Sequence, residues 1–211
     1  MNAKEFLQLY EEGKRNFSGV NLSGANLSGV NLSGAYLGDA DLSNANLKDA
    51  DFRCAILSGA ILNGAILSGA NFENANLSGA SLYRANLSGA NLSDASLTYG
   101  NLMEADLRNA NLSDAYLFNA NLYRVNLSGA DLRNANLGDA YLSNANLSGA
   151  NLIGIDLSNA FLKNANLSNA NLSEANLFGA NLSDANLDGV SLSSAKLSST
   201  ILHSGLSGID Q

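Results

Sequence analysis

Four aspartates, Asp39, Asp41, Asp49 and Asp51, are close together in the chain. Carboxylates of this kind could hold a hard cation, but a calcium cage needs about six to eight converging oxygens. Cys54 and His203 are each the only residue of their type. A lone thiol excludes an internal disulfide framework and a cysteine-built zinc site. A lone imidazole argues against a histidine-built catalytic or metal centre. Tyrosine is commoner, with seven residues, yet no base or ligand set accompanies it. Gly24 and Gly29 have the outer spacing of a phosphate loop, but no Lys-Ser or Lys-Thr follows. Nothing in the chain assembles a nucleophile, a base and an oxyanion hole. The expectation is a protein that is not an enzyme, with no cofactor and no metal.

The elements that carry these side chains follow from one spacing. From Phe17 to Leu202, every fifth residue is Leu or Phe, 38 positions without an insertion, with Phe only at Phe17, Phe52 and Phe72. Two residues earlier, Ala fills 30 of 37 places between residues 20 and 200. The exceptions are Val20, Val30, Gly100, Val125, Ile155, Val190 and Thr200. The unit reads Ala-Asn-Leu-Ser-Gly. A period of five fits neither a helix nor a free strand. Ala-x-Leu has the spacing of one short strand with both residues facing one way. The two remaining residues must turn a corner, and the second of them is Gly, Asn or Asp in 29 of 38 repeats. Those residues tolerate positive φ or close turns through their own side chains. A strand and a corner, repeated, give a coil with flat sides. The recurring Asn-Leu-Ser triplet matches the N-glycosylation pattern, but here it is the grammar of the repeat.

On these residues the chain resembles the pentapeptide-repeat proteins, over residues 16–204. The resemblance implies an all-β fold, a right-handed quadrilateral β-helix (a β-solenoid) with one pentapeptide per side and about four per coil. The stretch EFLQLYEEGKRNF looks like the leader of cyanobacterial members. Leu then points inward and stacks, each buried Leu contributing roughly 1.5–3 kcal/mol, and Ala leaves it room. With coils about 4.8 Å apart, the rod is about 45 Å long. Residues 3–14 are expected to form a short helix whose Phe6, Leu7, Leu9 and Tyr10 cap the first coil. The organisation expected is a helical cap over 1–15, the β-helix over 16–204 and a tail over 205–211. That tail either forms a small irregular cap with Leu206 and Ile209, leaving a monomer, or allows an end-to-end homodimer through the C-terminal coil.

If a coil takes 20 residues, side chains 20 apart stack, and each face can be read by itself. One face carries Tyr83, Met103 and Tyr123, beside them Arg84, Glu104 and Arg124 alternating in sign, and further on Tyr141, Phe161 and Lys163. The three charges are expected to stack as an ion-pair ladder. Exposed aromatic and arginine clusters favour interfaces, so this is the candidate protein-docking face. A purely structural stack is the other reading. A second face is the most acidic, with Asp51, Glu73, Asp94, Asp114, Asp131 and Glu174 against Arg53 and Arg133. It matters because some family members resemble duplex DNA and protect type II topoisomerases. A duplex of equal length carries about 26 charges, whereas the repeats carry 15 acids and eight bases. The same map sends the four aspartates, and likewise Ile56, Ile61 and Ile66, to different sides.

Only 14% of residues are charged and the net charge is −8, which argues against direct nucleic acid binding through a basic surface. Asn and Ser keep the surface wet instead. No apolar run approaches about 18 residues, and MNAKEFLQLYEEGKRN lacks an apolar signal core, so the expectation is a cytoplasmic chain that meets no membrane. The function expected is a protein-binding scaffold or regulatory protein whose partner is another protein. The alternative is a DNA-mimic protector of DNA gyrase.

Overall fold

The structure, a computed structural model, describes residues 1–202. His203, Leu206 and Ile209, with the expectations attached to the tail, lie outside the described residues. Helix α1 spans Ala3–Glu11. Asn2 starts it, its side chain accepting from the Glu5 N–H at 2.9 Å, which satisfies one of the donors a first turn leaves over. Glu5 adds negative charge where the helix dipole favours it. The helix ends earlier than the expected residue 14, because Gly13 takes a φ of 98°, open to glycine at little cost. There the Gly13 and Lys14 N–H groups close on the Tyr10 and Leu9 carbonyls at 3.0 Å. Phe6 is the side chain of α1 that is fully buried, its ring 4.5 Å from Phe17 and edge-on to it. The Tyr10 hydroxyl donates to the Ser33 carbonyl at 2.7 Å and ties the helix to the coil.

Beyond α1 the chain pairs each residue before a Leu with the residue 20 further on, always in parallel, from Asn16 with Tyr36 to Asn181 with Ile201. Repeats of five and coils of 20 make four sides. Each side is a single bridge wide, narrower than the short strand expected. The repeat Ala110–Asp114 shows where its backbone donors go. The Ala110 N–H closes the corner on Leu107 O at 3.1 Å. Asn111 donates back to Ala90 O at 2.9 Å, while Leu112 and Asp114 donate forward to Asp131 O at 2.6 Å and Arg133 O at 2.9 Å. The fifth donor, Ser113 N–H, meets the Asn111 side-chain oxygen at 3.0 Å. Every donor is paired, as a densely packed backbone requires. The fifth bond explains why Asn or Asp so often precedes Leu: a short side chain with an oxygen at that reach completes the set.

Every corner residue from Gly19 to Ser199 has φ between 54° and 69°, the left-handed region that Gly, Asn and Asp tolerate best. The Leu and Ala columns fill the tube, and no polar side chain is buried among the described residues. Phe52 and Phe72 replace Leu on one side and stack 4.8 Å apart, within 1° of parallel, which is the coil spacing itself. Outside, Asn side chains run in ladders, Asn111 donating to Asn91 at 3.0 Å and Asn91 to Asn71 at 3.2 Å. In the last described coil Leu187, Leu192, Leu197 and Leu202 are only half-buried. Among the described residues no helix is long and apolar enough to cross a membrane.

Candidate functional site: a tyrosine-walled groove

Two kinds of departure from the repeat meet on one side of the rod. Cys54, Arg84, Tyr99, Glu104, Arg124, Glu174, Ser194 and Ser199 occupy left-handed corners without being Gly, Asn or Asp. Arg84, Tyr99, Glu104 and Arg124 border the docking face expected from the sequence. Left-handed backbone at a bulky residue costs about 1–2 kcal/mol, and such strain gathers where function holds it. Among the described residues Tyr99 is the most exposed large apolar side chain, at 66%. Its ring meets Phe118 edge-on at 6.3 Å. The next residue, Gly100, stands in an Ala place. A Cβ there would lie 2.8 Å from Leu97 O, so this corner closes more tightly, with a 2.8 Å hydrogen bond to that carbonyl, than the Ala corners do. Phe118 in turn lies over Gly138, where a Cβ would come within 3.3 Å of its ring.

Beside this corner is an open groove of about 490 Å³. Asn101 and Asn121 form its floor. Tyr99 and Asn119 stand on one side, Met103 and Tyr123 on the other, and Tyr141 and Ser143 lie one coil further on. The Asn101 and Asn121 side-chain oxygens accept from the Met103 and Tyr123 N–H groups at 3.2 and 3.1 Å. Those bonds fix which way each carboxamide points, so each presents its NH₂ as a donor with no protein partner among the described residues. Of the expected docking residues, Met103, Tyr123 and Tyr141 line the groove. Phe161 stacks on Tyr141 at 5.1 Å, within 5° of parallel, both about half exposed. Tyr83 carries the Arg84 guanidinium over its ring at 4.9 Å. Arg84 Nε donates to Glu104 Oε2 at 2.7 Å. The expected three-member ion ladder stops at that pair, because Arg124 lies over the Tyr123 ring at 5.2 Å instead. Tyr99, Gly100, Asn101, Asn119, Asn121 and Ser143 were not anticipated. The signals for them were a tyrosine at a corner and a glycine in the Ala column.

The acidic face is partly neutralised by its own arginines. Arg53 grips Asp51, and Arg133 grips Asp131, each through Nε and a second nitrogen, with the shortest contact 2.6 Å. These hydrogen bonds hold both carboxyls below the usual carboxylate range. Asp106 and Arg108 repeat the arrangement on another face. Asp114 accepts from the Asn134 side chain at 3.2 Å, while Asp94 and Glu174 stand at exposed corners; Glu73 is half-buried beside Arg53. The four clustered aspartates do not converge: Asp41 is bound by Ser43, which lowers its pKa, Asp51 by Arg53, Asp49 lies 3.9 Å from Lys48 and Asp39 stands at an exposed corner. Among the described residues no group of His, Cys, Asp and Glu is placed to hold a metal ion. Cys54 is exposed at a corner, in a shallow concavity with Arg53, Glu73 and Asn74.

Comparison with known proteins agrees with this architecture. The family described as pentapeptide repeats matches in eight copies, over residues 16–53, 31–69, 70–109, 101–139, 110–149, 145–184 and 165–203. No curated protein matches the chain. Among solved structures, HetL, a pentapeptide repeat protein involved in heterocyst differentiation regulation in the cyanobacterium Nostoc sp. strain PCC 7120, is 39% identical over 97% of this chain and 98% of its own, with a TM-score of 0.46. Rfr23 from the cyanobacterium Cyanothece 51142 is 34% identical over 56% of this chain and 90% of its own, with a TM-score of 0.38. Trypsin-treated QnrB1, a plasmid-mediated fluoroquinolone resistance protein, is 21% identical over 90% of this chain and 91% of its own, and its TM-score of 0.71 reflects a shared fold. With a 20-residue coil, left-handed corners and Leu or Phe at every fifth residue, the chain belongs to the pentapeptide-repeat family and has its right-handed quadrilateral β-helix.

Proposed function

We propose that the chain is a non-enzymatic cytoplasmic scaffold that binds another protein through the groove between Tyr99, Met103, Tyr123 and Tyr141. One observation carries this reading: Tyr99 occupies a left-handed corner, where Gly or Asn would be easier, and its ring forms a wall of the groove. Tyrosine and methionine walls suit protein recognition: both are enriched at interface cores, and tyrosine supplies large contact area at small entropic loss. The Asn floor adds directed donors that give a partner its register.

The test is a paired capture from native extract. The baits are the wild-type chain, a groove variant (Tyr99→Asn with Tyr123→Ala) and a control altered on the acidic face (Asp94→Asn with Asp114→Asn). The expected result is a partner retained by wild type and control and lost from the groove variant, with all three unfolding at similar temperatures. A partner held equally by the groove variant would sink the reading.

A further inference from the structure

Building on that reading of the groove, we infer that its occupant is a proline-rich segment in the polyproline II conformation, with an acidic residue beside the prolines. The first argument is the balance of donors and acceptors. The Asn101 and Asn121 side-chain oxygens are engaged. The carbonyls of Asn101, Met103, Asn121 and Tyr123 already accept from Leu82, Arg84, Leu102 and Glu104. The floor therefore offers carboxamide NH₂ donors, while each of these oxygens already accepts one hydrogen bond. An ordinary extended peptide brings N–H groups that meet only oxygens already engaged, whereas its carbonyls match the carboxamide donors. Proline brings carbonyls and no N–H.

The second argument is spacing. Two coils of the rod span about 9.6 Å, and one three-residue turn of polyproline II spans about 9.3 Å. A peptide lying along the rod thus returns the same face to the groove at Asn101 and again at Tyr141. A β-strand repeats its face about every 6.6 Å, which matches neither one coil nor two. Rows of tyrosine rings are also the surface on which proline rings pack in aromatic-lined grooves.

The third argument is charge. Arg124 lies on the Tyr123 side of the groove, over that ring, with no carboxylate partner among the described residues. Lys163 follows on the same face. Glu104 is taken by Arg84, and Asp139 stands at the opposite corner, one coil beyond Asn119. An acidic residue on the peptide is therefore favoured on the Tyr123 side and repelled on the other, which sets how the peptide lies.

The experiment uses fluorescence anisotropy with the full chain and a labelled peptide of consecutive prolines flanked by glutamates. Saturable binding is expected, about tenfold tighter than to the same peptide with alanines for prolines. Arg124→Glu should weaken that binding and strengthen binding of a lysine-flanked proline peptide. Tyr99→Asn, at a corner that accepts Asn without strain, should weaken both while leaving the fold intact. Equal affinity for the proline and alanine peptides, no binding of either, or indifference to Tyr99→Asn would overturn the inference. If the peptides fail while the groove variant still loses its captured partner, the scaffold reading stands and only the proline assignment falls. If both fail, both are wrong.

Discussion

At the scale of single residues, the corners carry the most information. A Tyr99→Asn change removes left-handed strain worth about 1–2 kcal/mol and gives up an edge contact with Phe118 worth about 0.5–1.5 kcal/mol. Because the ring is mostly exposed, the contact sits at the low end. The expected outcome in denaturant unfolding is neutral to stabilising by up to about 1 kcal/mol. Destabilisation beyond that range would show that the ring, and not the strain, dominates. The Asp-x-Arg pairs make a second prediction. Asp51, Asp106 and Asp131 have lowered folded-state pKa values, chiefly through hydrogen bonds to Arg53, Arg108 and Arg133. A carboxyl lowered by folding adds stability above its unfolded value of about 3.9 and loses it as pH falls through the lower folded value. Each pair is largely solvated, so the gain is small. A variant with all three arginines changed to Gln should therefore melt slightly lower than wild type at neutral pH, and the gap should close toward pH 3. A gap that widens in acid would contradict the sign. The groove was only half legible from residue types. Met103, Tyr123 and Tyr141 stood out on one face, but Tyr99 belongs to the adjoining side. Only the left-handed corner brings it to the rim.

At the scale of elements, the unit of stability is one coil held by its two neighbours. Leu112→Ala opens a cavity in a fully buried column and should cost about 2–5 kcal/mol. Leu192→Ala, in the last described coil where the same column is half exposed, should cost less than half as much, because less transfer energy and less cavity are at stake. Urea unfolding of the two variants checks this, and equal losses would mean that the rod unfolds without regard to position. The coil itself was legible in two steps: a spacing of five with Gly, Asn or Asp at most corners fixed the side length, and the resemblance to the family supplied the four sides that put the bridges 20 residues apart. The width of each side was not. A chain that must turn every fifth residue has room for one bridging residue and not for a strand. Nor does spacing alone reveal the role of the residue before Leu; that it completes the backbone donor set emerges only when each N–H is followed to its acceptor. The end of α1 was missed for a related reason, since the apolar side continues in pattern while Gly13 alone decides where the backbone leaves the helix.

At the scale of the whole molecule, the question is whether the rod's charge could pass for a duplex. The net charge is −8 over the full chain, on a rod about 45 Å long. A duplex of that length carries about 26 negative charges. The shortfall is larger where it matters, because the most acidic face holds Arg53 and Arg133 clamped on Asp51 and Asp131. Those two carboxylates contribute little field beyond a Debye length of about 8 Å. The outline of the rod is shared with QnrB1, but an enzyme saddle built for a polyanion reads field as well as outline. The expected outcome in a DNA gyrase supercoiling assay is no inhibition by the chain at micromolar concentration and no relief of quinolone inhibition. Replacing the two clamping arginines with Gln would free the carboxylates and raise the net negative charge by two, still far from the duplex. An effect that is absent in wild type and appears in that variant would mean that this charge deficit keeps the rod off the enzyme. An effect already present in wild type would mean that rod shape suffices, and would reopen the acidic face as the working surface.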